Sequence, residues 1–264
     1  MNIIIGQYIP GDSIIHRLDP RTKITIVFFF VIFVFFANNF YSYSLLTAFI
    51  IIAILLTKIQ IKYMIRGLIP IWFLIVFTFS LHLFFTKEGS VLIEIFNFKI
   101  HTGGVLRGFA ISLRFFLLIM MTSLLTFTTT PIELTDAIET MLSPLKKIKF
   151  PVHELALMMS ISLRFIPTLI QETDKISKAQ ASRGVDFRTG PFKERIKAIV
   201  PLLIPLFISA FQRAEELAMA MEARGYQGGE GRSRLRDLRL NRTDYLILLI
   251  FVLVITTLFL VRSY

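Results

Sequence analysis

The sequence predicts an all-α integral membrane protein with about five transmembrane helices and a cytoplasmic helical domain. Apolar residues make up 55% of its 264 residues, and the mean hydropathy is +0.69. An ordinary soluble domain holds about 45–50% apolar residues even when Gly is counted. The 29 Lys and Arg outnumber the 18 Asp and Glu, which gives a net charge of +11. A membrane protein with basic segments on one side of the bilayer accounts for both observations.

The first spans are predicted from a long run without Lys, Arg, Asp or Glu, which extends from Ile24 to Thr57. One straight helix of that length would be about 50 Å long, whereas the hydrocarbon core is about 30 Å thick. We therefore expect two helices. Asn38 and Asn39 mark the break between them, because Asn favours turns and helix caps.

Three further spans follow from the remaining apolar runs. These runs are Gly67–Thr86, Val105–Thr130 and Tyr245–Val261, and Arg107 and Arg114 interrupt the second of them. Residues 1–130 are thus predicted to form a membrane part of about four transmembrane helices. Residues 131–241 form the cytoplasmic helical domain, and residues 242–264 hold the C-terminal transmembrane helix.

The basic loops predict the orientation in a prokaryotic plasma membrane. Positive charges precede the first span and lie between the second and third spans: Arg17, Arg21, Lys23, Lys58, Lys62 and Arg66. The positive-inside rule then places the N-terminus and residues 131–241 in the cytoplasm and the C-terminus outside. The loop Lys87–Lys99 lies outside. No apolar signal-peptide core precedes residue 20, so we expect the first span to lead insertion.

Two long helices are predicted inside the cytoplasmic domain, from about Val152 to Arg183 and from about Pro191 to Arg224. Each begins apolar and becomes amphipathic, and Pro191 suits a helix start. Their apolar parts are short or interrupted by proline, so we expect these helices to lie along the cytoplasmic face. Pro201 and Pro205 are expected to bend the second helix, because each removes a backbone donor.

The two long helices end in a repeated motif, Ala-x-x-x-Arg-Gly, at an offset of 41 residues. Gly184 and Gly225 are predicted to end the helices in left-handed caps. Arg183 and Arg224 are then presented at the helix tips. A cation in the last turn of one helix could simply complement the helix dipole. Two copies favour a pair of Arg tips that meet acidic sockets on a partner with two equivalent sites.

No enzymatic or metal-binding motif is present. The chain has no Cys, and it lacks the glycine-rich loop that cradles nucleotide phosphates. His153 and Glu154 begin like a zinc-binding helix, but Leu157 stands where the second ligand is needed. We therefore expect no catalytic residues, no bound metal and no cofactor in this chain. The excess of positive charge is explained by contact with membrane lipid and not by nucleic acid.

Arg114 lies inside a predicted span, which leaves two interpretations open. An ionisable residue within a membrane span is a functional candidate by default. The alternative is that Arg114 extends toward the outer interface, where Arg107 also lies.

The stretch His16–Lys23, which reads HRLDPRTK, resembles the N-terminal signature of the T component of energy-coupling factor (ECF) transporters, the CbiQ-like family. The two Arg-Gly helix ends resemble the paired Ala-Arg-Gly motifs of that family. The resemblance extends from Tyr8 to the last span and is closest to the shared, stand-alone type. Ser182 is a departure, since the family usually has Ala there.

The resemblance implies a non-catalytic transporter subunit with cytoplasmic coupling helices. It implies that Arg183, Gly184, Arg224 and Gly225 dock on two ABC-type ATPase subunits, which bind the ATP. It also implies that the apolar parts of the coupling helices hold a small membrane S component that captures a vitamin or another micronutrient. The residues expected at that interface are Leu155, Met158, Met159, Ile161, Leu202 and Leu206.

Two alternatives remain at the level of the sequence. One is a dedicated cobalt or nickel T subunit of the same family, which would have a private S partner. The other is a membrane-embedded, lipid-modifying enzyme with Arg114 and His82 in its active site.

Overall fold

The structure is a computed structural model that describes residues 8–95, 98–185, 192–226, 228 and 238–262. Within these residues the chain forms α-helices and one short β-hairpin. The helices are α1 (Pro20–Val34), α2 (Phe40–Thr57), α3 (Ile61–Phe85), α4 (Thr102–Thr128), α5 (Pro131–Leu142), α6 (Val152–Ser182), α7 (Phe192–Ala223) and α8 (Arg242–Arg262). A 3-10 helix, Ser143–Ile148, connects α5 to α6. The predicted all-α class is confirmed.

The break predicted near Asn38 and Asn39 is confirmed. Helix α1 ends at Val34, and Asn39 is the N-cap residue of α2. Both long helices of the predicted cytoplasmic domain are also present, as α6 and α7. The predicted start of the second one, Pro191, lies outside the described residues, and α7 continues through Pro201 and Pro205.

The β-hairpin between α3 and α4 was not predicted. Strands β1 (Val91–Ile95) and β2 (Phe98–His101) pair antiparallel, with Glu94 opposite Lys99. No regular structure was expected in this stretch, because strands of five and four residues hold too few alternating positions to stand out.

Four helices are long and apolar enough to cross a membrane, judged by length and composition over the described residues: α2, α4, α6 and α8. Helix α6 is the least apolar, with a mean hydropathy of 1.2 against 1.9 to 2.7 for the others. Helix α1 has 15 residues and is about 22 Å long, shorter than the hydrocarbon core. The apolar part of α3, Ile71–Phe85, is of the same length. The composition of α6 thus permits a span where the sequence suggested a surface helix.

The chain divides into two compact units. The first consists of Met1–Ala137 with Leu238–Tyr264, and the second of Ile138–Asp237. In the first unit α1, α2, α4 and α8 share an apolar core. Its largest fully buried side chains are Phe30, Val34, Leu46, Ile50, Leu117 and Leu258, each at most 2% exposed.

Helix α4 packs closely against α3 through two glycines. A Cβ atom at Gly104 would lie 2.9 Å from the carbonyl oxygen of His82, and one at Gly108 would lie 3.2 Å from the Phe79 ring. Two glycines at this four-residue spacing let two helix backbones approach closely. Close packing stabilises helix association in membranes, because lipid tails are as apolar as the side chains and the hydrophobic effect does not drive helices together. The spacing is visible in the sequence and would have predicted the contact.

In the second unit α6 and α7 pack against each other in antiparallel directions. A guanidinium nitrogen of Arg213 lies 3.1 Å from a carboxylate oxygen of Glu172, and both side chains are about one-quarter to one-third exposed. Nearer the C-terminal end of α6, the Gln180 side-chain amide donates to the carbonyl of Pro201, near the start of α7.

Candidate functional site

The C-terminal end of α6 is a Schellman cap. Gly184 has a φ of +85°, and its N–H donates to the carbonyl of Ala181 at 3.0 Å. The N–H of Val185 donates to the carbonyl of Gln180 at 3.1 Å. These two bonds satisfy carbonyls that the helix itself leaves free.

The end of α7 has the same geometry. Gly225 has a φ of +72° and donates to Glu222 at 2.9 Å, while Tyr226 donates to Met221 at 3.0 Å. The prediction that both helices end in left-handed glycine caps is confirmed. No atom lies within 4 Å of a Cβ built on either glycine, so glycine is required for its φ and not for space.

The two arginines stand immediately before these caps. Arg183 and Arg224 are exposed, and neither forms an ion pair within the described part of the chain. Each guanidinium offers five donors in a rigid fork that fits a carboxylate. The arrangement can therefore present two equivalent cationic tips to a partner.

The six apolar residues predicted at an interface fall into two groups. Leu155, Met158 and Met159 lie on one exposed face of α6, at 39%, 61% and 42% exposed. Ile161 lines a cleft of about 330 Å³ between α6 and α7. Leu202 and Leu206 are only half-buried. The exposed apolar face of α7 consists instead of Leu203, Ile204, Phe207, Ile208 and Phe211.

The N-terminal signature forms a buried polar cluster in the first unit. The Asp19 carboxylate caps α1 by accepting from the Arg21 N–H at 2.9 Å, and it also accepts two bonds from the Arg21 guanidinium. Burial by itself raises the pKa of Asp19, but the hydrogen bonds and charge of Arg21 outweigh it and hold that pKa below its ordinary value. Arg21 also donates to the carbonyl of Leu238.

This cluster joins the first, fourth and last helices. The Asp19 N–H donates to Asp244 at 2.9 Å, and Asp244 is fully buried at the start of α8. The second oxygen of Asp244 accepts from the Asn241 N–H at 2.7 Å. Lys23 donates to the carbonyl of Thr128, at the end of α4, at 2.8 Å. We call Asp19, Arg21, Lys23 and Asp244 the polar cluster. Sequence reasoning did not single out Asp244.

Arg114 is bound to the turn between α1 and α2. Its guanidinium donates to the Ala37 carbonyl at 3.2 Å and to the Tyr43 hydroxyl at 2.9 Å, and it lies over the Phe35 ring. These contacts give Arg114 a structural role in connecting α4 to that turn. Arg107, in contrast, pairs with Glu88 at 2.6 Å, and both side chains are more than half exposed.

The described residues contain no group of three or more His, Asp or Glu side chains that could hold a metal ion. The two residues considered for the active site of a lipid-modifying enzyme contact different groups. His82 contacts the Thr86 hydroxyl oxygen, and Arg114 contacts Ala37 and Tyr43.

Comparison with known proteins gives concordant matches over most of the chain. Residues 11–235 match the family described as CbiQ, cobalt transport protein. The "Energy-coupling factor transporter transmembrane protein EcfT" of Bacillus subtilis strain 168 is 57% identical over 262 residues, which is 99% of both chains. The protein of the same name from Listeria innocua is 53% identical over 99% of this chain and 98% of its own. That of Exiguobacterium sibiricum is 54% identical over 95% of each.

Proposed function

The chain belongs to the CbiQ family, and on that premise we propose that it transmits ATP-driven motion of two ABC-type ATPase subunits to a substrate-binding S component of an importer. It is the transmembrane energy-coupling component of ECF-type transporters and a multi-pass membrane protein of a larger complex. The proposed transmission of motion from the ATPases is supported mainly by the pair of identically capped Arg tips.

The geometry of the tips supports docking on the ATPases. Both glycine caps direct the chain away from the helix directly after Arg183 and Arg224, so each guanidinium stands at the end of a rigid element. Two tips with the same local structure suit two partner subunits with similar sockets. No catalytic residue or cofactor of this chain is required, because the partners bind and hydrolyse the ATP.

The apolar face of the coupling helices supports docking of an S component. The face on α6 contains Met158 and Met159, whose flexible thioether side chains repack easily against different partners. Such adaptability suits a subunit shared among several vitamin-binding S components. A dedicated cobalt or nickel subunit is the second candidate, favoured by the description of the matched family.

Co-purification tests the function and separates these candidates. The tagged chain is isolated in mild detergent from its native membrane, and its partners are identified by mass spectrometry. Two ATPases with a mixture of small membrane proteins are expected for the shared type. One private membrane partner would indicate the metal type, and the absence of any ATPase would contradict the proposal.

The proposed topology predicts the behaviour of reporter fusions. The N-terminus is cytoplasmic and the C-terminus is outside, because the basic loops face the cytoplasm. A reporter that is active only in the cytoplasm is expected to work after Gly190, a position outside the described residues. A reporter that is active only outside is expected to work after Ser90. A cytoplasmic Ser90 would contradict the span assignment, and an external Gly190 would mean that α6 crosses the membrane.

The proposed S-component face predicts the effect of a buried charge. Met159→Glu is expected to prevent S-component association while the ATPases remain bound, because an unpaired carboxylate would be desolvated at the interface. Co-purification of each partner measures the effect. Met141→Glu is the matched control, since Met141 is also 42% exposed but lies on α5. Unchanged S-component recovery with Met159→Glu would place the interface elsewhere.

A further inference from the structure

Helices α6 and α7 end in the same short repeat, and one contact between them joins equivalent positions. At an offset of 41 residues, Gln171 matches Gln212 and Arg183 matches Arg224. The ion pair between Glu172 and Arg213 spans the same 41 residues. Position 172 of the first copy therefore contacts its own counterpart in the second.

A contact between counterparts is the property of a two-fold axis, because a residue on such an axis meets its own image. A second contact can be compared with the same exchange of the two helices. Gln180 bonds to Pro201, and exchanging the two copies converts that contact into one between residues 160 and 221. Ile161, adjacent to that position, and Met221 line the same cleft between the helices.

Glu172 and Arg213 are counterparts in the repeat, but they carry opposite charges. An exact repeat would place Glu opposite Glu or Arg opposite Arg in a half-buried contact, which is unfavourable. The neighbouring position, 171 and 212, keeps Gln in both copies. The counterparts on the axis instead carry opposite charges and form a hydrogen-bonded pair at 3.1 and 3.3 Å.

We propose that the Glu172–Arg213 ion pair lies on a local two-fold axis of the antiparallel pair formed by α6 and α7, which we call the α6–α7 hairpin. The ion pair fixes the register of the two helices. Arg183 and Arg224 are each 11 residues beyond this pair, in opposite directions. At 1.5 Å per residue, each tip lies about 16 Å from the axis along its helix. Glu172 and Arg213 are thus positioning residues for the two tips.

The register matters because the tips address two partner sites at a fixed separation. A slip of one helical turn moves one helix by about 5.4 Å against the other and changes the separation of the tips. A partner with two sites at a fixed separation engages both tips in one register only. This consequence rests on the proposed function, whereas the symmetry of the hairpin does not.

The absence of Cys makes a distance measurement direct, because introduced cysteines carry the only spin labels. Lys178 and Met219 are exposed counterparts, six residues beyond the ion pair on each helix. Their labels are expected about 20 Å apart along the hairpin, with a narrow distribution. The measurement uses the purified full chain carrying Lys178→Cys and Met219→Cys in lipid nanodiscs.

Glu172→Lys is expected to broaden this distribution and shift its mean by about 5 Å, or one turn. Glu172→Gln is the milder variant if the first does not fold, and it is expected to broaden the distribution without a like-charge contact. The exchange Glu172→Arg with Arg213→Glu is expected to restore the narrow distribution, because an axis gives both positions equivalent surroundings. Glu88→Lys, which breaks the exposed pair with Arg107, is the control and is expected to change nothing.

A narrow distribution in both Glu172→Lys and Glu172→Gln would overturn the proposal, as would a failure of the exchanged pair to restore the distance. Recovery of the ATPases is measured on the same samples. Distances that change as expected while ATPase recovery stays constant would support the axis and contradict docking through two tips.

Discussion

Replacing both Arg183 and Arg224 by Ala is expected to release the ATPase subunits, or to leave them hydrolysing ATP without uptake. Each tip arginine is proposed to enter a socket that contains a carboxylate. Loss of one partner of a buried, hydrogen-bonded charge pair costs about 2–5 kcal/mol. The double substitution removes this contribution at both contacts. Vitamin uptake and recovery of the ATPases in a pull-down measure the result together.

Single substitutions are the internal comparison for this result. Arg183→Ala or Arg224→Ala alone is expected to weaken uptake and coupling without abolishing assembly, because the other tip still binds. Lys at either position is expected to rescue poorly, because an ammonium group cannot reproduce the planar fork. Normal uptake and normal recovery in the double variant would reduce both arginines to charges that complement their helix dipoles.

Replacing Asp244 by Ala is expected to destabilise the first unit more than any exposed substitution. The change leaves the buried N–H group of Asp19 without an acceptor, and it also removes the acceptor of the Asn241 N–H, which lies at an exposed residue. An unsatisfied buried donor costs about 1–3 kcal/mol, and we expect a loss of that size from the Asp19 N–H. The change is measured as thermal unfolding of the purified chain in detergent, which is monitored by size-exclusion chromatography.

Two variants provide the comparison for Asp244→Ala. Asp12→Ala is the matched control, since the Asp12 side chain is 97% exposed, and no change in the melting temperature is expected. Asp244→Asn is expected to be intermediate, because its amide keeps one acceptor oxygen but places a donor where the second oxygen was. An unfolding temperature for Asp244→Ala equal to that of Asp12→Ala would show that the polar cluster does not stabilise the fold.

Features with a local cause could be predicted from the sequence. The left-handed caps at Gly184 and Gly225 follow from residues within one helical turn, and the break before α2 follows from two adjacent Asn. Long charge-free runs likewise predicted helices in the regions of α1 to α4 and of α8. In each case the physical requirement and the residue that meets it lie side by side in the chain.

Features that join distant segments could not be predicted in the same way. Nothing near Asp244 indicates that it accepts a bond from Asp19, which is 225 residues earlier. The half-buried state of Leu202 and Leu206 depends on how α7 packs, which an apolar pattern alone does not specify. The close approach at Gly104 was different, because its four-residue spacing to Gly108 could have been recognised.

The polar cluster can be completed only late in synthesis, because its members lie far apart in the chain. The ribosome adds 105 residues after Lys23 before it reaches Thr128, whose carbonyl accepts from Lys23. It adds 225 residues after Asp19 before it reaches Asp244, which accepts from the Asp19 N–H. At about 5–20 residues per second, the second interval lasts roughly 11–45 s on the ribosome. During that time the start of the first helix must remain hydrated or be shielded by the insertion machinery. A nascent chain that stops before its last helix therefore exposes unpaired polar groups at its beginning, which marks it as incomplete.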